Sequence, residues 1–417
     1  NSLTNAIWND GGKNTASQIT VNGDVNISMS GGYGGNGLAI QKTSRWGENS
    51  QTARGASTIT VNGNLKIAGA DSDTWGIPVN QENVLSRFNN AGILTNIEKS
   101  KVTVTGDVDM TVYGNGVTTN ADDSQVIIGG GHIVVPKGTK YGYYTLGAYV
   151  GTINMNTGED GATPGTHDVQ LDGDIFALKT TGHINLALTT EKSYLNGIID
   201  NGGKVNLWLQ NGAVWTNEAN NTRYKQDDED VGNQGISHVT YLHGGTKSGT
   251  SDTAGVIIQT ANSNSLTIDK FSGAAKVLYS HDSENPTKIL GGDVTIGSAS
   301  SGSEIVLRTN YDDHMQSDAI RNQVLDALAE KLYYKDAVNR RNFLSGKVEI
   351  AEGLTASSVA KYTGNIAFNQ TNGQGSFAGS GETPEPPAEQ SKTLFTSSIT
   401  GGDDKEYKDD HVWQDQV

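Results

Sequence analysis

The chain has 417 residues, with 30 lysines and arginines against 46 aspartates and glutamates, a net charge of −16, and no cysteine. These counts exclude a disulfide scaffold, a thiolate zinc site and a cysteine nucleophile, and the acid excess argues against a nucleic-acid binder, whose phosphate affinity needs clustered Lys and Arg. The 53 glycines are about one-eighth of the chain, against an average of about 7%, and point to many turns.

In chain order the first signal is an internal repeat. Ile19-Thr20-Val21-Asn22-Gly23-Asp24-Val25-Asn26-Ile27 returns as Ile59-Thr60-Val61-Asn62-Gly63-Asn64-Leu65-Lys66-Ile67, and again as Val102-Thr103-Val104-Thr105-Gly106-Asp107-Val108-Asp109-Met110. A looser copy is Val169-Gln170-Leu171-Asp172-Gly173-Asp174-Ile175-Phe176-Ala177, and Ile289-Leu290-Gly291-Gly292-Asp293-Val294-Thr295-Ile296 is a further echo. The offsets of 40, 43 and 67 residues lie near multiples of about 20, as a stacked solenoid with insertions would give. Apolar and polar residues alternate within each copy, the half-buried strand pattern, and the residues are Val, Ile and Thr.

The Gly-Asp or Gly-Asn step interrupts each strand where positive φ is expected. Asn22-Gly23 and Asn62-Gly63 also suit two-residue hairpin turns. Flanking strands of about three residues and coil-sized recurrence favour corners between short faces of one coil. The expected fold is all-β: a right-handed parallel β-helix of roughly 19 coils, stacked into a rod on the order of 90 Å at about 4.8 Å per coil. Further short strands are expected at 125–128, 132–135, 183–188, 204–210, 256–259, 265–269, 275–279 and 304–308, each followed by turn residues.

Residues 317–343 break the pattern. Ile320, Val324, Leu325, Leu328 and Leu332 fall on one helical face behind a Ser317 or Asp318 cap, so a helical insertion covering the side of the rod is expected. The organisation read from the sequence is a β-helical domain over 1–379, a Pro/Glu-rich linker over 380–392, extended and poorly folded, and a charged tail over 393–417, disordered or leading into a following segment.

These repeats, with Leu207-Trp208-Leu209-Gln210-Asn211-Gly212-Ala213-Val214-Trp215-Thr216-Asn217 and Leu266-Thr267-Ile268-Asp269, resemble the passenger domains of bacterial autotransporters of the type V secretion pathway. The likeness is to the pertactin-like and AIDA/antigen-43-like β-helical adhesins. It covers most of residues 1–380 through short motifs. The resemblance implies a passenger that crosses the outer membrane unfolded through a C-terminal translocator barrel and folds outside, at the bacterial surface. A chain without cysteine suits that route, since a disulfide closed in the periplasm would lock a loop that must thread a pore. No barrel-like run of alternating strands closes this chain, no apolar run is long enough for a spanning helix, and Asn1-Ser2-Leu3-Thr4 lacks signal-peptide features. A passenger released without its barrel, its signal removed, is therefore expected.

Searching for chemistry gives little. H-E-x-x-H, G-x-S-x-G and the P-loop pattern are missing, as is the Gly-Asp-Ser-Gly segment of serine-protease passengers. Gly32-Tyr33-Gly34-Gly35-Asn36-Gly37 matches G-x-G-x-x-G by letter without the strand-to-helix context, and one partial calcium nonapeptide at 31–38 lacks the tandem copies that stack ligands. No cofactor or metal is expected. Asp107 and Asp109 lie two apart, hence on one strand face, where paired carboxylates could perturb each other. A solvated outer face is the favoured reading of them. Asp227-Asp228-Glu229-Asp230 reads as a charged loop, Asp312-Asp313-His314 as a helix lead-in, and the His238/His243 spacing has no ligand logic.

The candidate ligand-binding rings are Trp46, Trp75, Tyr141, Tyr143 and Tyr144, in loop-like segments where they would stack on sugars or anchor a protein, or else pack a loop onto the rod. The functional expectation is a secreted, surface-displayed, non-enzymatic adhesin whose partner is another copy on a neighbouring cell or a host protein or glycan. The alternatives are a β-helical polysaccharide lyase or glycoside hydrolase, and a purely structural stalk.

Overall fold

The computed structural model describes residues 4–11, 15–29, 35–41, 54–69, 91–136, 144–178, 180–220, 235–248, 251–355 and 357–379. The fold is all-β and solenoid-like: 58% of it is strand, in one large, mostly parallel sheet that wraps about 340° round an axis.

The repeat in the sequence is the register of the sheet. Ile19, Thr20, Val21 and Asn22 pair with Ile59, Thr60, Val61 and Asn62, and Val25 and Ile27 pair with Leu65 and Ile67. Those in turn meet Val102, Val104, Val108 and Met110. Like therefore stacks on like at one residue per rung, and alternation sends the apolar set inward. One inward column runs unbroken through Val21, Val61, Val104, Ile128, Met155, Leu186, Leu207, Leu242, Phe271 and Ala299. Leu332–Tyr334 adds an eleventh level by pairing with Val294–Ile296. From Val61 to Phe271 each member of this column is at most 1% exposed.

Three expectations are corrected. Successive members of that column lie between 21 and 43 residues apart, so loops of unequal length leave about eleven rungs rather than nineteen coils. At about 4.8 Å per rung the stack is about 50 Å long. Secondly, the fourth copy is displaced round the coil by one face. Val169 and Leu171 stack on Gly131 and Ile133, which continue the column of Val108 and Met110 rather than that of Val102 and Val104. Thirdly, the parallel coil does not continue to 379, because Leu344–Ala351 pairs antiparallel with Ala360–Phe368, and that strand pairs antiparallel with Gly375–Phe377. The expected linker and tail, 380–392 and 393–417, lie outside the described residues.

What the copies share is a corner device. Asp24 Oδ1 accepts from the backbone N–H of Asn64, 2.8 Å away, and Asn64 Oδ1 accepts from that of Asp107 at 2.9 Å. Asp174, the equivalent residue of the fourth copy, accepts from the N–H of Ile198 at 2.8 Å. In these three copies the Asp or Asn after the glycine thus satisfies a corner amide on the next rung, whereas Asp107 turns its carboxylate to the His167 ring. The glycine before it has two uses. Gly23 and Gly173 sit at φ +128° and +145°, as expected of a left-handed corner. Gly63 and Gly106 do not; a Cβ on Gly63 would lie 2.5 Å from the Gly23 carbonyl oxygen, so close stacking excludes any side chain. Gly63→Ala is accordingly expected to lower the unfolding free energy by about 1–3 kcal/mol, read as an earlier urea midpoint.

The helical insertion is shorter than 317–343. The helix spans Asp318–Ala329, with Ser317 Oγ accepting from the Ile320 N–H as its cap. Val324, Leu325 and Leu328 are buried and Ile320 partly so. Leu332 belongs instead to the strand Leu332–Tyr334, because Leu-Tyr-Tyr fits a pleated surface and is captured by the rung beneath it. A 3-10 turn at Lys335–Asn339 follows. The helix packs against Ser303–Asn310, Leu344–Ala351, Ala360–Phe368 and Gly375–Phe377, covering the C-terminal end of the stack.

Candidate functional site

On the sheet face begun by Val25–Ser28, the residues between the inward ones point outward. They form a column of Asn26, Lys66, Asp109, His132, Gln170 and Tyr194, one per rung. Two residues further along each strand runs a second column of Ser28, Ala68, Thr111, Val134, Asp172 and Asn196. Over six rungs these two columns place Lys, Asp, His, Gln, Tyr and Asn side by side.

The side chains are tied to one another across rungs. Lys66 Nζ lies 2.7 Å from Asp109 Oδ2, and His167 Nδ1 lies 2.8 Å from Asp107 Oδ1. Asp107 and Asp109 therefore each face a base on another segment and do not act as a carboxylate pair. Asp172 is the hub: His132 Nε2 is 2.9 Å from its Oδ2, the Tyr194 hydroxyl donates to Oδ2 at 2.8 Å, and Asn196 donates to Oδ1 at 2.8 Å. Tyr194 also meets the His132 ring edge-on, with centroids 6.4 Å apart.

Electrostatics fix the protons of this hub. Burial pushes the Asp172 carboxyl up, but hydrogen bonds from Asn196, His132 and Tyr194 outweigh it and hold the group below its ordinary value. Burial and the Asp172 carboxylate push the Tyr194 hydroxyl up to about 12. Tyr194 thus stays protonated and donates, and Asp172 stays charged and accepts. At neutral pH the hub thus presents a charged carboxylate held by a phenol, an amide and an imidazole.

Related pairs recur elsewhere. Glu304 is gripped by Lys247 at 2.7 Å and Lys347 at 2.6 Å, and these two lysines overcome burial to hold its carboxyl below the ordinary value. His281 Nε2 lies 2.6 Å from Asp312 Oδ2, and that bond, with one from the His314 amide, likewise overcomes burial and lowers Asp312. A carboxyl lowered in the folded state contributes stability above its unfolded pKa and loses it as pH falls through the folded value. Stability is therefore expected to hold at neutral pH and to fall below about pH 4. Urea midpoints at successive pH values check this, and Asp172→Asn and Glu304→Gln should each flatten the acid limb.

The rings singled out in the sequence fare differently. Trp46, Trp75, Tyr141 and Tyr143 lie outside the described residues. Tyr144 is only 6% exposed and stacks on Phe176, centroids 4.9 Å apart and 21° between planes, so it packs onto the sheet and offers no ring to a ligand. Asp227 to Asp230 also lie outside the described residues. Asp312 caps the 3-10 turn Asp313–Met315, as a lead-in should. His238 bonds Asp269 at 2.8 Å, while His243 stacks on Trp208 and Tyr241; the two histidines face different partners. Among the described residues no three His, Asp or Glu side chains converge to hold a metal ion.

Lys66, His132, Asp172, Tyr194 and Asn196 were not singled out by the sequence. Their signal is the polar half of the strand alternation, but placing His132 beside Asp109 requires knowing that the next rung starts 24 residues on, at Val126 opposite Val102, and that a one-residue register shift after Val104 brings the offset to 23. Comparison with protein-family models, with curated proteins and with solved structures returns no match.

Proposed function

We propose that this chain is a right-handed parallel β-helix displayed at a bacterial surface as an autotransporter passenger, and that it is a non-enzymatic adhesin. The observation that carries the reading is the outer face from Asn26 to Tyr194, where each of six rungs presents a polar side chain and the last adds a phenol. Such a face suits a host glycan or protein, or another copy on an apposed cell, through many weak polar contacts acting together. The missing cysteines agree with export through a pore.

The test is settling and attachment of cells that display the chain. Lys66→Ala, His132→Ala and Tyr194→Ala combined are expected to weaken attachment at least about tenfold, equivalent to about 1.4 kcal/mol. Unchanged settling and attachment in that variant, or dispersed cells that bind no host cell, matrix protein or glycan, would sink the proposal.

One observation favours a second reading, a polysaccharide lyase or hydrolase: Asp109 and Asp172 share this face with Lys66 and His132. New reducing ends or unsaturated products from acidic or neutral glycans, lost in Asp172→Asn, would favour it over the adhesin.

A further inference from the structure

We propose that the turn at 338–343 is a docking tip for the anionic headgroup layer of a lipid bilayer. All six of its residues are exposed. Two of the five large apolar side chains exposed among the described residues lie on it, Val338 and Phe343, each 46% exposed. Single exposed apolar side chains are ordinary on a protein surface, whereas a pair on one turn marks a contact.

Positive charge gathers at the same place. Residues 331–347 hold five basic side chains against one acid, Asp336, in a chain of net charge −16. Lys331 and Lys347 are bound to Asp293 and Glu304, but Lys335 and Arg340 are exposed and make no ion pair among the described residues. Arg341 is 63% exposed and reaches Asp336 only at 3.8 Å. Asp336 itself turns inward, 15% exposed, and accepts from Asn339 Nδ2 at 3.2 Å. Over 335–343 the surface therefore shows cations and apolar groups with no exposed acid between them.

The backbone holds this tip in place. The 3-10 turn Lys335–Asn339 is closed by Arg340 in the left-handed region, at φ +57°. The amides of Arg340 and Arg341 donate to the carbonyls of Ala337 and Asp336 at 2.9 and 3.1 Å. Tyr334 and Ala337 anchor it from beneath, 0% and 1% exposed, and the turn packs on Val294–Ala299. Val338 is thus kept in water by a fixed backbone, and a contact made there costs little further ordering.

Two features select a bilayer as the occupant. Six consecutive exposed residues make a projection, which suits a soft surface that closes round it, whereas an acidic protein would need a matching cleft. Cations also stand beside apolar side chains, the interfacial combination: Val and Phe enter the boundary between headgroups and acyl chains while Arg and Lys meet the lipid phosphates. The apolar stem of arginine suits the same position. Repulsion from the acidic remainder of the chain is screened beyond about 8 Å at physiological salt, so the charges of the tip itself decide the contact.

This tip is separate from the outer polar face, so vesicle binding by the purified chain tests it apart from the adhesin reading. Co-sedimentation should show binding to phosphatidylcholine vesicles that contain phosphatidylglycerol at least about tenfold tighter than to phosphatidylcholine alone, and weaker as salt rises. Val338→Ser with Phe343→Ser, and Arg340→Gln with Arg341→Gln, should each lower the affinity at least about tenfold, with circular dichroism unchanged. Should those variants fail to fold, a label decides. The chain has no cysteine, so Phe343→Cys takes an environment-sensitive fluorophore at one position, and its emission should shift to the blue on the anionic vesicles. Binding to neither vesicle would overturn the proposal and leave an acidic protein, or another segment of this chain, as what the tip fits. Equal binding to both vesicles would overturn it too, as would affinity unchanged in both pairs of variants or a label that stays in water on the bound chain. Vesicle binding by a chain whose cells fail to attach would count against the adhesin alone.

Discussion

Arg308→Ala is expected to lower the unfolding free energy by about 3–5 kcal/mol, because it strips one partner from a buried ion pair and leaves the other charge uncompensated. Arg308 sits on Ser303–Asn310 directly opposite Glu349. Its Nε and Nη2 reach Glu349 Oε2 at 2.9 and 2.6 Å, and Nη1 donates to the carbonyls of Thr355 and Ser358 at 2.7 and 3.0 Å. Only 5% of the arginine side chain and 14% of the glutamate side chain are exposed. One guanidinium therefore ties the last parallel rung to the turn that reverses the chain into Ala360–Phe368. Urea unfolding measures the loss, and amide exchange should show it concentrated in 344–368. A double substitution of both partners by apolar residues should recover part of the loss, since the lone glutamate is then gone. If Arg308→Ala melts as the parent does, the clamp is not what holds this end.

Trp215→Ala is expected to cost about 3–5 kcal/mol, the range for emptying a large aromatic site that cannot collapse. Trp215 is 0% exposed and stacks in register between Leu195 below and Ile257 above. Its Nε1 donates to the Gly197 carbonyl at 2.8 Å. The corner beside it is tightly stacked, since a Cβ built on Gly197 would lie 2.3 Å from the Gly173 carbonyl oxygen. Trp215→Phe keeps most of the volume and loses the indole hydrogen bond, so it should cost about 1–3 kcal/mol. Chemical unfolding of the two variants separates packing from hydrogen bonding; equal losses would mean that the indole N–H alone matters.

Several features were legible in the sequence for reasons of local chemistry. Alternating Val, Ile and Thr around Gly-Asp announced short strands with corners, and the 40- and 43-residue offsets proved to be the register of the first three rungs. Ser317 and the Val324, Leu325 and Leu328 stripe gave the helix and its start. Its end was not legible, because Leu332 continues the helical spacing yet is drawn into a strand by the Val294–Ile296 rung. Nor was the site: Asp107 and Asp109 read as a solvated face or a mutual pair, whereas their partners, His167 and Lys66, come from residues 60 and 43 positions away.

The sequence alone determined that the chain forms strands, where it turns, and that like residues stack on like, because a two-residue alternation and a glycine corner are encoded within about nine neighbouring residues. Only the tertiary structure decided how many rungs there are and which face the copy at Val169 joins. It also decided that His132, Asp172, Tyr194 and Asn196 share one hub. The physical reason is the same in each case: loops between rungs vary freely in length at small entropic cost, so the distance along the chain does not fix which outward side chains become neighbours.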